Sequence, residues 1–236
     1  MQEHIWENEY RNPKLVTKHD EPQQAVKDFF KFLKKQAKKA GARQVDGEIQ
    51  PLTVLDLGCG TGRNSNYLAD QGHTVTGIEI SETALKLAKE RAEEKSLTVT
   101  YIKGSIGTPF PFADNSFDVA IDVTSSNSLS EKERAVYLKE TSRVLKPGGW
   151  LFVRALCKDG DQNAKNLIKT NPGPEKDTYI MPEFGLTERV FSKEDFTSTY
   201  SPFFEIIELE KITHYSKFNS RIYKRNYWIG YLQSTR

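Results

Sequence analysis

The chain has few of the residues that build metal centres, disulfide frameworks or membrane spans. It holds two cysteines, Cys59 and Cys157, whose separation suits neither a metal-ligand pair nor a disulfide framework. No apolar run approaches the length that spans a bilayer, and the first ten residues lack the apolar segment of a signal peptide. The formal net charge is only +2, so no overall field indicates nucleic acid as a partner. These absences predict a soluble cytoplasmic protein without a metal site or a membrane partner.

The residues that are present suffice for one α/β domain. Hydrophobic residues make up 37% of the 236-residue sequence, enough for a central sheet with a core on both faces. Short apolar segments alternate with amphipathic ones, which is typical of a parallel sheet with right-handed crossovers. The predicted strands are 53–57, 74–79, 98–103, 117–122 and 149–155, and the predicted helices are 62–71, 82–95 and 131–144.

The segments that flank this core differ from it in composition. An amphipathic helix is predicted over 21–40, and a polar loop over 41–51. The lysine-rich face of that helix is either a solvated surface or a stripe that binds phosphates. The segment 157–190 is polar and long for a connector, which is typical of a functional loop. Beyond it the sequence predicts a short helix near 162–169, a helix over Lys193 to Tyr200, and strands over Phe204 to Thr213 and Arg221 to Gln233 with a polar turn at 216–220.

Residues 53–65 hold the most informative motif. A short apolar strand ends in Asp56 and runs into a loop with alternating glycines. Gly58 allows the tight turn after the strand, and Gly60 lets the main chain approach a ligand closely. Gly62 lets the following helix pack down on the strand. This G-x-G-x-G loop is one residue tighter than the dinucleotide fingerprint, so it predicts a different nucleoside-like ligand.

Two acids complete this prediction. Asp56 lies in an apolar strand, where a carboxylate is costly unless it is hydrogen-bonded or faces a cation. It could orient the glycine loop or reach the amino group of a bound amino acid. Glu79 ends the next strand, where α/β nucleotide folds bind ribose hydroxyls by bidentate acceptance, and Ile80 offers an apolar face to a purine ring.

With these motifs, the chain resembles the class I S-adenosylmethionine-dependent methyltransferases, and among them the small-molecule branch (types 11 and 25). The segment Phe110 to Asp118 resembles the family's approach to strand four, and Arg143 to Gly149 resembles its entry into strand five. The resemblance implies an α/β, Rossmann-like fold. Its seven-stranded sheet has the order 3-2-1-4-5-7-6, with strand seven antiparallel and helices on both faces.

The resemblance also implies one methyltransferase domain over 1–236, with S-adenosylmethionine as cofactor and S-adenosylhomocysteine as product. Its parts are a helical extension or lid (1–50), the cofactor-binding core (51–156), a lid on the substrate side (157–200) and a closing β-hairpin (201–236). The implied cofactor-binding residues are Trp6, Tyr10, Asp56, Gly58, Cys59, Gly60, Asn64, Glu79, Ile80, Ser105, Ile106, Asp122 and Thr124.

Several of these positions carry a specific expectation. Asp56 and the glycine loop surround the methionine part, while Asp122 and Thr124 lie beside the sulfonium. Ser105 departs from the family, which often has an acid there, so backbone contacts should carry more of the adenine recognition. Trp6 and Tyr10 either close over the cofactor or belong to a helix that packs on the core.

Catalysis of this kind needs no conspicuous motif. The methyl group is already activated, so the protein mainly aligns a nucleophile, and orientation can supply about 7–11 kcal/mol of the barrier. A general base is needed only for an acceptor that arrives protonated. The catalytic residue is therefore open, with Asp122, Asn127, Lys158 and His214 as candidates. His214 is equally a surface or packing residue.

Other residues bear on the methyl acceptor. The Asn/Asp-Pro-Pro-Tyr/Phe motif of base and glutamine methylation is missing after strand four, which disfavours nucleic acid. Arg154, Lys158 and Arg189 indicate an anionic acceptor. Asp159 also lies at the carboxyl ends of the strands, where such sheets bind ligands, while Tyr179, Glu183 and Glu188 could line the lid.

The sequence therefore predicts an enzyme that transfers methyl from S-adenosylmethionine to an N, O or S atom of a small molecule by in-line displacement. The alternative is a tRNA or protein methyltransferase that binds through the lysine-rich helix. A third hypothesis is a cofactor-binding module without catalysis. The acceptor's identity and the oligomeric state stay open.

Overall fold

The computed structural model describes residues 2–13, 20–39, 50–218 and 221–236. Most of the polar loop predicted over 41–51 lies outside these residues, and so does the tip of the turn predicted at 216–220. The helices are α1 (Glu3–Arg11), α2 (Gln24–Lys39), α3 (Arg63–Asp70), α4 (Glu82–Glu94), α5 (Glu131–Val144), α6 (Gln162–Thr170) and α7 (Lys193–Tyr200), with a 3-10 turn at Ser126–Ser128. The strands are β1 (Thr53–Leu57), β2 (Thr74–Glu79), β3 (Thr100–Lys103), β4 (Phe117–Val123), β5 (Leu145–Leu156), β6 (Thr178–Met181), β7 (Leu186–Arg189), β8 (Phe204–Phe218) and β9 (Arg221–Ser234).

Seven strands form one mixed sheet in the order β3-β2-β1-β4-β5-β9-β8. The first five are parallel, and β9 inserts antiparallel between β5 and β8. Since β8 and β9 are the sixth and seventh strands of this sheet along the chain, the predicted fold class and strand order are confirmed.

Local hydrogen bonds explain why the predicted helices begin where they do. Ser81 Oγ accepts a hydrogen bond from the Ala84 amide at the start of α4. Ser130 and Glu133 form a complete capping box at the start of α5. Each cap satisfies backbone donors that the first turn of a helix leaves without partners.

The structure differs from the predicted start of the fifth strand. The Pro-Gly-Gly segment was expected to separate the helix from a strand at 149–155, but β5 begins at Leu145, directly after α5. Leu145 already pairs with Phe117, and the register then shifts before Trp150 pairs with Val119. Gly148, with φ of 70°, lies in this irregular stretch. The main chain therefore joins the sheet first and forms its bulge afterwards.

The long polar segment 157–190 contains structure that the sequence did not predict. After α6, the strands β6 and β7 form a separate antiparallel hairpin. Tyr179 and Leu186 of this hairpin are buried. The segment is thus a small folded unit at the carboxyl edge of the main sheet.

The apolar core lies on both faces of the sheet, because alternate residues of each strand point to opposite sides. One cluster includes Leu55 and Val153, and the other includes Val54 and Phe152 together with Phe29 of α2. Within the described ranges, none of the helices has both the length and the apolar character of a bilayer-spanning segment. With its faces covered, the sheet leaves its carboxyl edge as the place for a ligand.

Candidate active site

The glycine loop lies between β1 and α3 at the carboxyl edge of the sheet. Gly58 and Gly60 both have positive φ, at 72° and 55°. A Cβ added to Gly58 would lie 2.4 Å from Ser125 Oγ, and one added to Gly60 would lie 2.7 Å from the Tyr10 hydroxyl. Both positions therefore require glycine by conformation and by contact. Ser125 also donates a hydrogen bond to the Gly58 carbonyl at 3.1 Å, a partner that the sequence did not indicate.

Asp56 lies beneath this loop as a buried acid without an ion pair to any described residue. It is 1% exposed, and Ser65 Oγ donates a hydrogen bond to its Oδ2 at 2.6 Å. Burial raises the pKa of Asp56 to about 7, although the Ser65 hydrogen bond and the Arg63 charge lower it in part. The carboxylate is thus costly to ionise until a positive group approaches it.

Glu79 ties the end of β2 to the glycine loop. Its Oε2 accepts from the Gly60 amide at 2.9 Å, and its Oε1 accepts from the amides of Ile80 and Ser81, each also at 2.9 Å. Burial raises the pKa of Glu79, and these three amides lower it in part. A carboxylate accepts about four hydrogen bonds. One position on Oε2 therefore stays available for a ligand, rather than the two of a bidentate grip.

Asp122, at the end of β4, is engaged with its own turn. Its Oδ1 accepts from the amides of Ser125 and Ser126 at 2.8 and 3.3 Å, and its Oδ2 accepts from the Tyr137 hydroxyl at 2.9 Å. The side chain is fully buried, and burial raises its pKa. These bonds shape the 3-10 turn after β4, which fits a structural carboxylate better than a catalytic one.

Together the three acids give this end of the sheet a surplus of buried carboxylate. Asp56, Glu79 and Asp122 end neighbouring strands, and the charges of Asp122 and Glu79 raise the pKa of Asp56 further. Arg63 is the cation whose charge acts on Asp56, but it forms no ion pair with it. Such a group of buried carboxylates fits a ligand that carries positive charge.

Helix α1 crosses the carboxyl edge and covers the glycine loop. The side-chain nitrogen Nε2 of Gln2 donates to the carbonyls of Ser128 and Thr187 at 2.8 Å, and its side-chain oxygen Oε1 accepts from the backbone amide of Thr187 at 2.7 Å. At the other end of the helix, the Tyr10 hydroxyl lies over Gly60, and the Trp6 ring is 6.2 Å from the Tyr10 ring. The helix that contains this aromatic pair therefore packs on the predicted site itself.

Glu7 anchors α1 to the start of α4. It accepts hydrogen bonds from Ser81 Oγ at 2.7 Å and from the Thr83 hydroxyl and amide at 2.6 and 3.2 Å. Burial alone raises the pKa of Glu7, but the Ser81 and Thr83 hydrogen bonds bring it down to about 2. A carboxylate at a helix N-terminus is also favoured by the helix dipole.

The other predicted cofactor residues have varied surroundings. Asn64 is buried, and its Oδ1 accepts from the amide of Gln23, the residue before α2, at 2.9 Å. Cys59 packs against Gly77, and burial raises the pKa of its thiol, which keeps it protonated. Ser105 Oγ accepts from the Gly107 amide at 3.1 Å. Ile106 is buried in the core, and Ile80 is half-buried.

Thr124 has an unusual backbone conformation. Its φ is 66°, a value that β-branched residues rarely adopt. Its amide donates to the Arg154 carbonyl at 2.8 Å, which holds the turn against β5. Strained residues of this kind concentrate at functional sites.

The catalytic candidates do not converge on the glycine loop. Asn127 is buried and accepts from the Leu156 amide at 3.3 Å, while its Nδ2 has no partner among the described residues. Lys158 forms an ion pair with Asp177 at 2.5 Å. His214 is exposed on β8, the outermost strand. The described residues also hold no cluster of His, Cys, Asp and Glu that could bind a metal ion.

Residues of the substrate-side segment are mostly paired with one another. The Tyr179 hydroxyl donates to Glu188 at 2.6 Å, and Asp159 accepts from the Lys193 amide at 2.8 Å. Glu183 is exposed. The sequence missed Gln2 and Glu7 as site residues, because no local pattern marks contacts to such distant positions. Ser65 had a signal, since it lies one helical turn after the glycine loop.

Comparisons with known proteins bear on the family and the fold. The sequence matches the methyltransferase domain family over residues 55–153. It is 42% identical over 102 residues to 2-methyl-6-phytyl-1,4-hydroquinone methyltransferase of Synechocystis sp., covering 43% of this chain and 31% of that protein. It is 31% identical over 140 residues to ubiquinone biosynthesis O-methyltransferase of Nitrosomonas europaea, covering 59% and 57%. The chain thus spans less than two thirds of the length of these relatives.

A similar solved structure extends the likeness to the whole fold. This is the 1,6-didemethyltoxoflavin-N1-methyltransferase of Burkholderia thailandensis, with bound 1,6-didemethyltoxoflavin and S-adenosylhomocysteine. The TM-score is 0.70 at 16% identity, over 99% of this chain and 87% of that one. These findings confirm the resemblance to the class I S-adenosylmethionine-dependent methyltransferases: residues 55–153 match the methyltransferase domain family, and the chain shares the fold of a solved methyltransferase.

Proposed function

We propose that the protein transfers a methyl group from S-adenosylmethionine to an N, O or S atom of a small molecule. The observation that carries the proposal is the surplus of buried carboxylate around Asp56 and Glu79. The donor, with its sulfonium and ammonium groups, supplies the positive charge that these acids lack. The relatives named above act on small molecules, which supports the same kind of acceptor here.

Each residue around the glycine loop then has a role in binding. Asp56 faces the ammonium group, directly or through water, and Glu79 accepts from one ribose hydroxyl through the free position on Oε2. Burial keeps the Tyr10 hydroxyl protonated by raising its pKa, so it can donate to the carboxylate of the methionine part near Gly60. Ile80 and Ile106 flank the adenine. S-adenosylmethionine supplies, when bound, a methyl group that its sulfonium charge has already activated.

The two coverings of the site act as lids. α1 (in the extension 1–50) and β7 (in the segment 157–200) are joined through Gln2 and Thr187. A closed pair of lids excludes water and fixes the acceptor in line with the methyl group, which is the main demand of this chemistry. Opening of α1 admits the ligands, because Tyr10 lies directly over the loop.

The acceptor is expected to lose its proton to solvent before transfer, because none of the named candidates is placed as a general base. Asp122 accepts three hydrogen bonds, Lys158 is ion-paired, and His214 is exposed on the outermost strand. Asn127 is not a base at neutral pH. The pH dependence of turnover is therefore expected to follow the acceptor's own pKa and that of Asp56.

The test of this function is a turnover assay with purified protein, S-adenosylmethionine and a panel of small phenols, thiols and amines. Release of S-adenosylhomocysteine and a product heavier by one methylene are expected, and both should be lost in Asp56→Asn but retained in Lys35→Ala, an exposed residue of α2. The proposal fails if neither S-adenosylmethionine nor S-adenosylhomocysteine binds the wild-type protein. Action on tRNA or protein, and a cytoplasmic location, stay predictions.

A further inference from the structure

Arg154 of β5 is a buried cation without a counter-ion. It is 8% exposed, and its Nε has no hydrogen-bond partner. It forms no ion pair with any residue that the structure describes. Burial lowers its pKa most, the interaction with Tyr227 raises it in part, and the charges of Arg63 and Arg225 lower it further. A buried guanidinium without a counter-ion is energetically costly, so a ligand that binds here is expected to bring a negative group.

The other cations of this region have polar partners, although the Nε atoms of Arg134 and Arg189 lack a hydrogen-bond partner among the described residues as well. Arg189, which is 7% exposed, forms two hydrogen bonds with the Asp195 carboxylate at 2.8 and 2.9 Å. Arg134 donates to the carbonyls of Ser126 and Leu129. Lys158 pairs with Asp177. Of the three cations that the sequence associated with an anionic acceptor, Arg154 is therefore the one whose charge is not already neutralised.

Arg154 lies next to the proposed methyl-transfer site. Its Cα partner on β4 is Val123, and its carbonyl accepts from Thr124, directly after that strand. It also lies two residues after Phe152, which places it on the same face of the sheet as Asp56, two residues after Val54. Asp56 is level with Phe152, so Arg154 lies two strands across and two residues farther along, roughly 12 Å away between the main chains. That separation suits a small acceptor lying beside the donor.

The surroundings of the guanidinium select the chemistry of its partner. The group stacks on the Tyr227 ring, with its carbon 3.5 Å from the ring centroid, which fixes its plane. Its strand neighbours Val123 and Ile229 are apolar. A planar guanidinium held in this way presents a fork of donors that matches a carboxylate. Apolar walls beside it fit an aromatic body.

We propose that Arg154 binds a carboxylate group of the methyl acceptor, so that the acceptor is a small aromatic carboxylate. This inference rests on the proposed function. In that arrangement the acids near the glycine loop hold the positive donor, and Arg154 holds the negative end of the acceptor. The acceptor's nucleophilic atom then lies between them.

Binding of simple probes tests this without knowledge of the natural acceptor. Thermal shift and calorimetry would compare benzoate, phenyl phosphate and neutral benzamide, at equal ionic strength and with S-adenosylhomocysteine present. Benzoate should stabilise the wild type saturably, and benzamide should not. Arg154→Met should weaken benzoate binding roughly 10- to 150-fold, the loss of a charge-assisted hydrogen bond. Arg154→Lys should recover part of it, and Lys35→Met, which removes an exposed cation of α2, should keep the full response.

The outcomes separate this inference from the function on which it rests. Equal responses to benzoate and benzamide, or an unchanged benzoate response in Arg154→Met, would overturn it. A response to phenyl phosphate alone would indicate that the site binds a phosphate and not a carboxylate, and would also overturn the inference. If Arg154→Met does not fold, the benzoate affinity of Arg154→Lys is compared with that of the wild type. An unchanged affinity would then overturn the inference. Failure of S-adenosylhomocysteine to bind, with the benzoate response intact, would count against the proposed function only.

Discussion

At the residue scale, Asp56 has the largest electrostatic consequence. Its pKa of about 7 in the free protein compares with a usual value of 3.8. Between these two values the folded state holds a proton that the unfolded state has lost, so the stability of the free protein falls as pH rises. A cationic ligand favours the ionised form of Asp56, so the complex holds this side chain without its proton. Binding should therefore release a proton below about pH 7.

Affinity for S-adenosylmethionine is thus expected to rise with pH up to about 7 and to level off above it. The slope can reach about tenfold per pH unit, because one unit corresponds to about 1.36 kcal/mol. Asp56→Asn should weaken binding and remove the slope. Calorimetry in two buffers of different ionisation enthalpy measures the proton release directly. An affinity that does not change between pH 5.5 and 8 in the wild type would contradict the role given to Asp56.

The sequence allows residue-level predictions where one position carries its own signal. An acid in an apolar strand marked Asp56, and an acid at the next strand end marked Glu79. The sequence did not predict that Asn64 bonds to Gln23 or that Asp122 accepts from its own turn, because both contacts depend on neighbours fixed only by folding. The missing partner of Arg154 is likewise a property of the packed structure.

At the element scale, α1 is held by the polar contacts of two residues, Gln2 and Glu7. Glu7 joins it to the N-terminus of α4, and the pKa of about 2 means that the contact contributes stability above about pH 4.5. That contribution is lost as pH falls towards 2. The sequence left open whether the aromatic pair here closes over the cofactor or belongs to a helix that packs on the core. It did not predict the anchors of the helix, because they lie far away along the chain.

Glu7→Gln should therefore loosen α1 without unfolding the domain. The variant is expected to lose about 0.5–2 kcal/mol of the free energy that holds α1 on the domain, the range for a lost cap or dipole contact. Hydrogen exchange at pH 7 should speed up in residues 3–11 and stay unchanged in β1. Glu3→Gln is the matched control, since the contact of Glu3 on the same helix is a half-exposed ion pair with Lys103 at 3.5 Å, which contributes little to stability. Equal exchange in the two variants would show that Glu7 does not hold the helix.

At the scale of the whole molecule, the sheet brings groups of opposite charge to one edge. The strand order could be predicted because strand and helix periods, glycine spacing and the family's motifs all agree along residues 53–155. The β6–β7 hairpin and the early start of β5 could not be predicted, because the Pro, Gly and polar residues in these segments are also typical of loops. The acids of β1, β2 and β4 and the cation of β5 meet only in the folded sheet.

The central claim is that this edge binds the donor through the glycine loop and Glu79. Calorimetric titration with S-adenosylhomocysteine tests it most directly. The wild type should bind, Glu79→Gln should bind roughly 10- to 150-fold more weakly while keeping its fold by circular dichroism, and Lys35→Ala should match the wild type. Equal affinity in the wild type and a folded Glu79→Gln variant would contradict the account.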